Sequence, residues 1–226
     1  MRRLSTGGVG SAIGHSESMT THTFDELAGR EVVERLVKAL AERGFLPESV
    51  RTGAEALARI KELIPVGESV MNGSSETLEQ ISFIDYLKSG AHGWNNLHAA
   101  VLAEKDSAKQ AVLRAQSVIS DYYLGSAHAV TEEGEIVISS NTGSQMPHLV
   151  FTSPNIILVV STQKIVPTLT LAFERIEKHI IPLEDVSIQK KYGIHTMRAK
   201  TLILHRENPM MGRKVHIIFV GEKLGF

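Results

Sequence analysis

A chain of 226 residues, 42% of them hydrophobic and 22% charged, is long enough to bury a sizeable core and fits one main domain. Its formal net charge of -1 leaves no basic excess for nucleic acid and no acidic excess for a solvating tail. The absence of cysteine excludes a disulfide framework, a thiolate-held zinc or iron-sulfur site and a thiol nucleophile.

The opening MRRLSTGGVGSAIGHSESM has no apolar stretch of the kind a secretory signal needs and no periodicity. Residues 1–20 therefore read as a disordered leader, with Met19 as an alternative start. Gly8, Gly10 and Gly14 are spaced one residue too widely for a dinucleotide fingerprint, and no strand precedes them. From Asp25 to Arg43 apolar residues recur three and four apart, which predicts an amphipathic helix ended by Gly44. GAEALARIKELI (53–64) has the same period and stops at Pro65. ESVMNG is a short strand, and SETLEQISFIDYL a helix ending near Gly90. GAHGWNNLHAAV carries the only tryptophan and reads as irregular, before the strongly helical AEKDSAKQAVLRAQSVI.

DYYLGSAHAV and EIVISS flank a Glu-Glu-Gly turn and read as a hairpin. NIILVVS is continuously apolar, as strands buried on both faces of a parallel sheet are. Pro167 fits the first turn of a helix over PTLTLAFERIEKHI, and KTLILHRE and KVHIIFVGE add two strands. Helices alternating with buried strands predict an α/β layered sheet with the hairpin near its middle. The expected division is a helical part over 21–66 and an α/β core over 67–226. The longest apolar runs, such as IILVV at 156–160, fall far short of the roughly 20 residues a membrane helix needs. A soluble, cytoplasmic protein is expected.

Ligands of such sheets sit at the carboxyl ends of strands, where loops enter helices, and three loops there carry suitable groups. In MNGSSETLEQ the amides and hydroxyls of Gly73, Ser74 and Ser75 can cradle an anion, while Ser75 or Thr77 can equally cap the helix, Thr77 in a capping box with Gln80. Asn141, Thr142 and Gly143 follow the strand EIVISS. Lys164, between a buried strand and the next helix, is placed to meet an anionic group. His92 and His98 are candidate metal ligands, but their spacing does not put them on one helical face. Asp121 and Glu132 are the candidate acid/base carboxylates, at the start and the turn of the hairpin. No nucleophile elbow or phosphate-binding P-loop is present.

MNGSSETLEQISFIDYLKSG, DYYLGSAHAVTEEGEIVISSNTGSQ, NIILVVSTQKIVPTLTLAFERI and the terminal VGEKLGF together resemble the LUD-domain family, usually called lactate-utilisation proteins after the C component of a bacterial L-lactate oxidation system. The likeness spans residues 25–226 and is strongest to a short stand-alone branch. It implies a Rossmann-like mixed sheet flanked by helices, similar to the NagB, ribose-5-phosphate isomerase and CoA-transferase fold group. The family's Ala-Glu-Thr-Gly hairpin stands here as Thr131-Glu132-Glu133-Gly134, so Glu132 and Gly134 match and the threonine has become Glu133.

With the resemblance, the leading expectation is an accessory component of organic-acid oxidation that binds a small anionic or nucleotide-like ligand, held by the strand-end loop residues Gly73, Ser74, Ser75, Thr77, Asn141, Thr142, Gly143 and Lys164. No intrinsic cofactor is expected. Iron-sulfur clusters would reside on partner oxidoreductase subunits, and a homo-oligomer is another expected state. The alternatives are an enzyme of the isomerase, CoA-transferase or cyclo-ligase type, and a purely structural partner subunit.

Overall fold

The computed structural model describes residues 23–226, so the expected leader, the Gly8, Gly10 and Gly14 spacing and Met19 lie outside the described residues. Six strands form one wholly parallel sheet in the order β1 (Leu46–Val50), β10 (Lys214–Val220), β7 (Asn155–Ser161), β4 (Tyr122–Gly125), β2 (Ser69–Asn72) and β3 (Asn95–Asn96). The apolar run Ile156–Val160 explains why β7 lies inside it. Ile156, Leu158 and Val160 face one hydrophobic core and Ile157 and Val159 the other, so neither face of the strand meets water.

A second sheet packs on the first, in the order β8 (Ile165–Val166), β5 (Ala129–Thr131), β6 (Ile136–Ser140) and β9 (Lys200–Leu204), with β5 and β9 antiparallel to β6 and β8 parallel to β5. Val130, Ile136 and Ile138 meet the main sheet in the core that α1 (Arg30–Glu42) joins through Val33, Leu36 and Leu40. Ala129 and Val137 point the other way, against Ala172 of α7 (Leu169–Arg175). On the far face of the main sheet lie α2 (Gly53–Leu63), α3 (Glu76–Gln80) and α4 (Phe83–Ser89). The result is a helix, sheet, sheet, helix sandwich. β1 and α2, drawn from the stretch expected as a helical N-terminal part, are an edge strand and a covering helix of this same unit.

Four local expectations need correction. The hairpin β5–β6 lies at the centre of the second sheet rather than in the main one, because DYYLGSAHAV divides into β4 in the main sheet and β5 in the second. Tyr123–Gly125 and Ala129–Thr131 are buried throughout, so an unbroken apolar run could not reveal the crossing at Ser126–His128. SETLEQISFIDYL is two helices, since Ser82 takes a left-handed conformation (φ 61°) that ends α3 and starts α4. The irregular stretch contains β3 and α5 (Leu97–Ala103), which precedes α6 (Ser107–Gln116). Thr168, not Pro167, caps α7, and that helix continues through a wide turn at Ile176–Ile180 into α8 (Ile181–Tyr192). The wide turn lies immediately before Pro182, which has no N–H to give to a regular preceding turn. Among the described residues no helix is long and apolar enough to cross a membrane.

Candidate functional site

Because every strand of the main sheet runs the same way, the segments after β2, β4, β7 and β10 emerge along one edge. β7 ends in Ser161, whose hydroxyl accepts the amide of Gln163 and so closes a single 3-10 turn, Thr162–Lys164. That tight turn directs Lys164 inward, leaving it 4% exposed. Its Nζ donates to Thr77 Oγ1 at 2.9 Å, from the helix that follows β2, and to Ser126 Oγ at 3.2 Å, from the residue that follows β4. The two hydroxyls are 3.4 Å apart. Three strand ends thus converge on one amine.

The last residues close the site from above. Gly225 donates its amide to Gln80 Oε1 at 2.7 Å, and Gln163 Nε2 donates to the carbonyls of Leu224 and Gly225 at 3.2 and 3.3 Å. A Cβ at Gly225 would fall 2.5 Å from Thr77 Oγ1 and 2.8 Å from Lys164 Nζ, and the residue has a φ of +67°, so glycine alone fits.

The electrostatics are one-sided. Among the described residues Lys164 hydrogen-bonds to hydroxyls and meets no carboxylate. Arg175, at the end of α7, is wholly buried, donating to the carbonyls of His128 at 2.7 Å and Phe24 at 3.3 Å, while its Nε has no partner among the described residues. Burial pushes the Lys164 ammonium down to about 7, and the neighbouring Arg175 guanidinium adds to the effect. Burial also holds Arg175 down to about 10. His128 is held to about 3 by burial and then by the two cations, and its Nδ1 accepts the Ser139 amide at 3.1 Å, so the neutral ring carries its proton on Nε2. Cations kept from water without a counter-charge are costly, and an anion entering here removes that cost. An amine poised near neutrality can also accept or release a proton.

The family model for the LUD domain matches residues 33–221, most of the chain. The protein belongs to the LUD-domain family. The solved structure of a DUF162 family protein from Deinococcus radiodurans is 14% identical to this LUD-domain protein, with 86% of this chain and 99% of that chain covered and a TM-score of 0.52. At that identity the likeness shows the fold. No curated protein matches the chain.

The LUD-domain protein distributes its sequence-derived candidates over several places. Thr77 and Lys164 meet directly. Ser75 caps α3 by accepting the amide of Leu78, and Ser74 is exposed. Gly73 lies beneath Tyr123, where a Cβ would be 2.7 Å from the phenol oxygen. That phenol donates to Gln145, in the same loop as Asn141, Thr142 and Gly143. Those three are occupied locally: the Gly143 amide donates to Ser140, Thr142 bonds Ser144, and the Asn141 carbonyl accepts from Lys200. Among the described residues no hydrogen bond joins them to Lys164.

Asp121 stands at the opposite, amino-terminal end of β4. There it accepts the amide of Ser69 at 2.9 Å and its hydroxyl at 2.5 Å, bonds that hold its carboxyl below the usual range. Glu132 is half-exposed in the hairpin turn, 3.5 Å from Arg35. Among the described residues neither carboxylate forms a hydrogen bond or ion pair with Lys164. The two histidines are likewise occupied. His92 bonds the Leu87 carbonyl and the Trp94 amide through its two ring nitrogens, and His98 bonds the Asn72 carbonyl. Among the described residues no cluster of three His, Cys, Asp or Glu is placed to hold a metal.

Sequence reasoning missed Ser126, Arg175 and Gly225. Ser126 was concealed by the reading of DYYLGSAHAV as one strand. Arg175 looked like the ordinary basic residue of a last helical turn, and Gly225 carried no local signal.

Proposed function

We propose that this LUD-domain protein binds a small anionic metabolite at the buried Lys164 site. In this reading it serves organic-acid utilisation, the process linked to its family, as a cytoplasmic accessory component. The observation that carries the reading is a lysine buried to 4% exposure, held by two hydroxyls and no carboxylate, with wholly buried Arg175 close enough to depress it further. Such a site is a standing demand for negative charge. In this reading the Gly73 turn and the Asn141–Gly143 loop, linked to each other through Tyr123 and Gln145, are the outer rim of the crevice. The kinship with the NagB, ribose-5-phosphate isomerase and CoA-transferase group belongs to the same proposal. If the protein is an enzyme of those types, its proton-transfer group is Lys164 rather than Asp121 or Glu132.

A thermal-shift screen of lactate, pyruvate, phosphosugars, CoA esters and nucleotides tests the proposal on the wild type and on Lys164→Met. At least one anion should raise Tm in the wild type and fail to do so in the variant. Silence across the whole panel would remove the reading.

A second reading, association with iron-sulfur oxidoreductase subunits or with like subunits, is supported by α6. That helix buries none of its residues, and its Val112, with Leu102 of α5, is exposed. Co-purification with such subunits tests it, and recovery of a lone monomer from the native cell counts against it.

A further inference from the structure

The tail after β10 covers Lys164 without satisfying it. Glu222 accepts from Ser161 Oγ at 2.6 Å through its carbonyl and from the Gly53 amide at 2.8 Å through its carboxylate, which fixes the start of the segment. Leu224 is buried among the residues beneath the main sheet, and Phe226 packs against the core under α7. Between these anchors Gly225 passes over the amine, and a Cβ there would lie 2.8 Å from Nζ. Yet among the described residues no hydrogen bond joins Nζ to the segment, whose Leu224 and Gly225 carbonyls accept from Gln163 instead. An ammonium has three donors, and the hydroxyls of Thr77 and Ser126 accept from it here. The segment therefore covers the amine without hydrogen-bonding to it. Besides the anchors at Glu222, Leu224 and Phe226, two glutamine side chains bond it, and one of them, Gln80, is exposed.

We infer that residues 221–226 form a displaceable strap over the Lys164 site, and that the ligand displacing it is a doubly charged oxyanion, a phosphate or dicarboxylate group. The inference rests on the anion-binding reading and adds to it both the charge of the ligand and the gate. Two buried cations, Lys164 and Arg175, which meet no carboxylate among the described residues, are balanced by two negative charges. Oxygen acceptors of the anion supply the partner that the strap withholds. Affinity measured on the intact protein is then reduced by the fraction of molecules with the strap closed.

The experiment measures hydrogen exchange of the amides of 221–226 by mass spectrometry, with calorimetric affinities, at pH 8 and matched ionic strength. The probes are inorganic phosphate, malonate and nitrate, and the proteins are the wild type and Gln80→Ala. Phosphate or malonate should accelerate exchange in the wild-type strap, and nitrate should not. Gln80→Ala should loosen the strap and tighten dianion binding about fivefold, the weight of one lost hydrogen bond. If the strap of Gln80→Ala exchanges no faster, Gly225→Ala, whose Cβ clashes with both Thr77 and Lys164, is the opening variant.

Equal dianion affinity in closed and opened proteins, with strap exchange unchanged on binding, would overturn the strap and leave anion binding intact. Nitrate binding as tightly as phosphate and malonate would overturn the double charge. Absence of dianion binding to a protein whose strap is measurably open would overturn the anion reading and this inference with it.

Discussion

Thr77 Oγ1 accepts a hydrogen bond from Lys164 Nζ at 2.9 Å, joining the helix after β2 to the turn after β7 across 87 residues of sequence. Ser126 adds the end of β4 at 3.2 Å. A parallel sheet brings three such ends to one edge, and the buried lysine is where they meet.

That lysine should give stability an unusual dependence on alkaline pH. Its folded-state value, about 7, lies below the ordinary 10.5, so below pH 7 both states carry the proton and the burial penalty is fully present. Between pH 7 and 10.5 the unfolded chain binds the extra proton, and stability rises with pH on account of this group. Tm of the wild type should therefore increase from pH 7 to 9 relative to Lys164→Met. The variant should be the more stable of the two at pH 6.5. Parallel melting curves check this, and identical pH slopes would contradict it.

Acid should act through the histidines. Burial holds His128 to about 3 and His148 to about 4, whereas in the unfolded chain both protonate near 6.5. Stability from these groups is thus intact above pH 6.5 and is lost as pH falls toward 4 and 3. His148→Gln should shrink the loss measured by denaturant titration at pH 5 relative to pH 7.

Removing the hydroxyl at Thr77 or Ser126 should weaken binding of whichever anion the screen identifies by about tenfold, the value of one hydrogen bond to a charged group. Thr77→Val preserves shape but removes an acceptor of the buried amine, so its melting temperature and its affinity should both fall. A loss confined to stability would assign the hydroxyls to structure alone.

The opening turn of α3 separates two roles by residue. Ser75→Ala removes the cap on Leu78 and should cost about 1 kcal/mol of stability. Ser74→Ala, at an exposed position beside the cap, should leave stability unchanged and lower affinity if the turn reaches the ligand. Chemical denaturation and calorimetry on the two variants distinguish these effects.

Much of the fold was legible because burial imprints a period on the sequence. NIILVVS had to be a strand with no wet face, and the spacing of Val33, Leu36 and Leu40 had to be a helix with one buried face. Of the candidate site, Thr77 and Lys164 were legible as polar residues beside strand ends. Their pairing was not, because a hydroxyl's partner 87 residues away leaves no local trace. Thr77 and Gln80 also show how a local rule yields to tertiary contacts. Their spacing fits a capping box, but Ser75 caps the helix, Thr77 serves Lys164 and Gln80 holds Gly225. The second sheet escaped for a related reason, since β4 and β5 are equally buried on either side of the crossing.

The most direct test of the account is the proton count of anion binding at pH 8. Calorimetry of the tightest anion from the screen, repeated in buffers of different ionisation enthalpy, measures it. A free lysine near 7 is largely neutral at that pH, and a bound anion favours its charged form. The wild type should take up most of one proton per anion, and Lys164→Met should take up none. Binding without proton uptake, or with equal uptake in the variant, would contradict a Lys164-centred site.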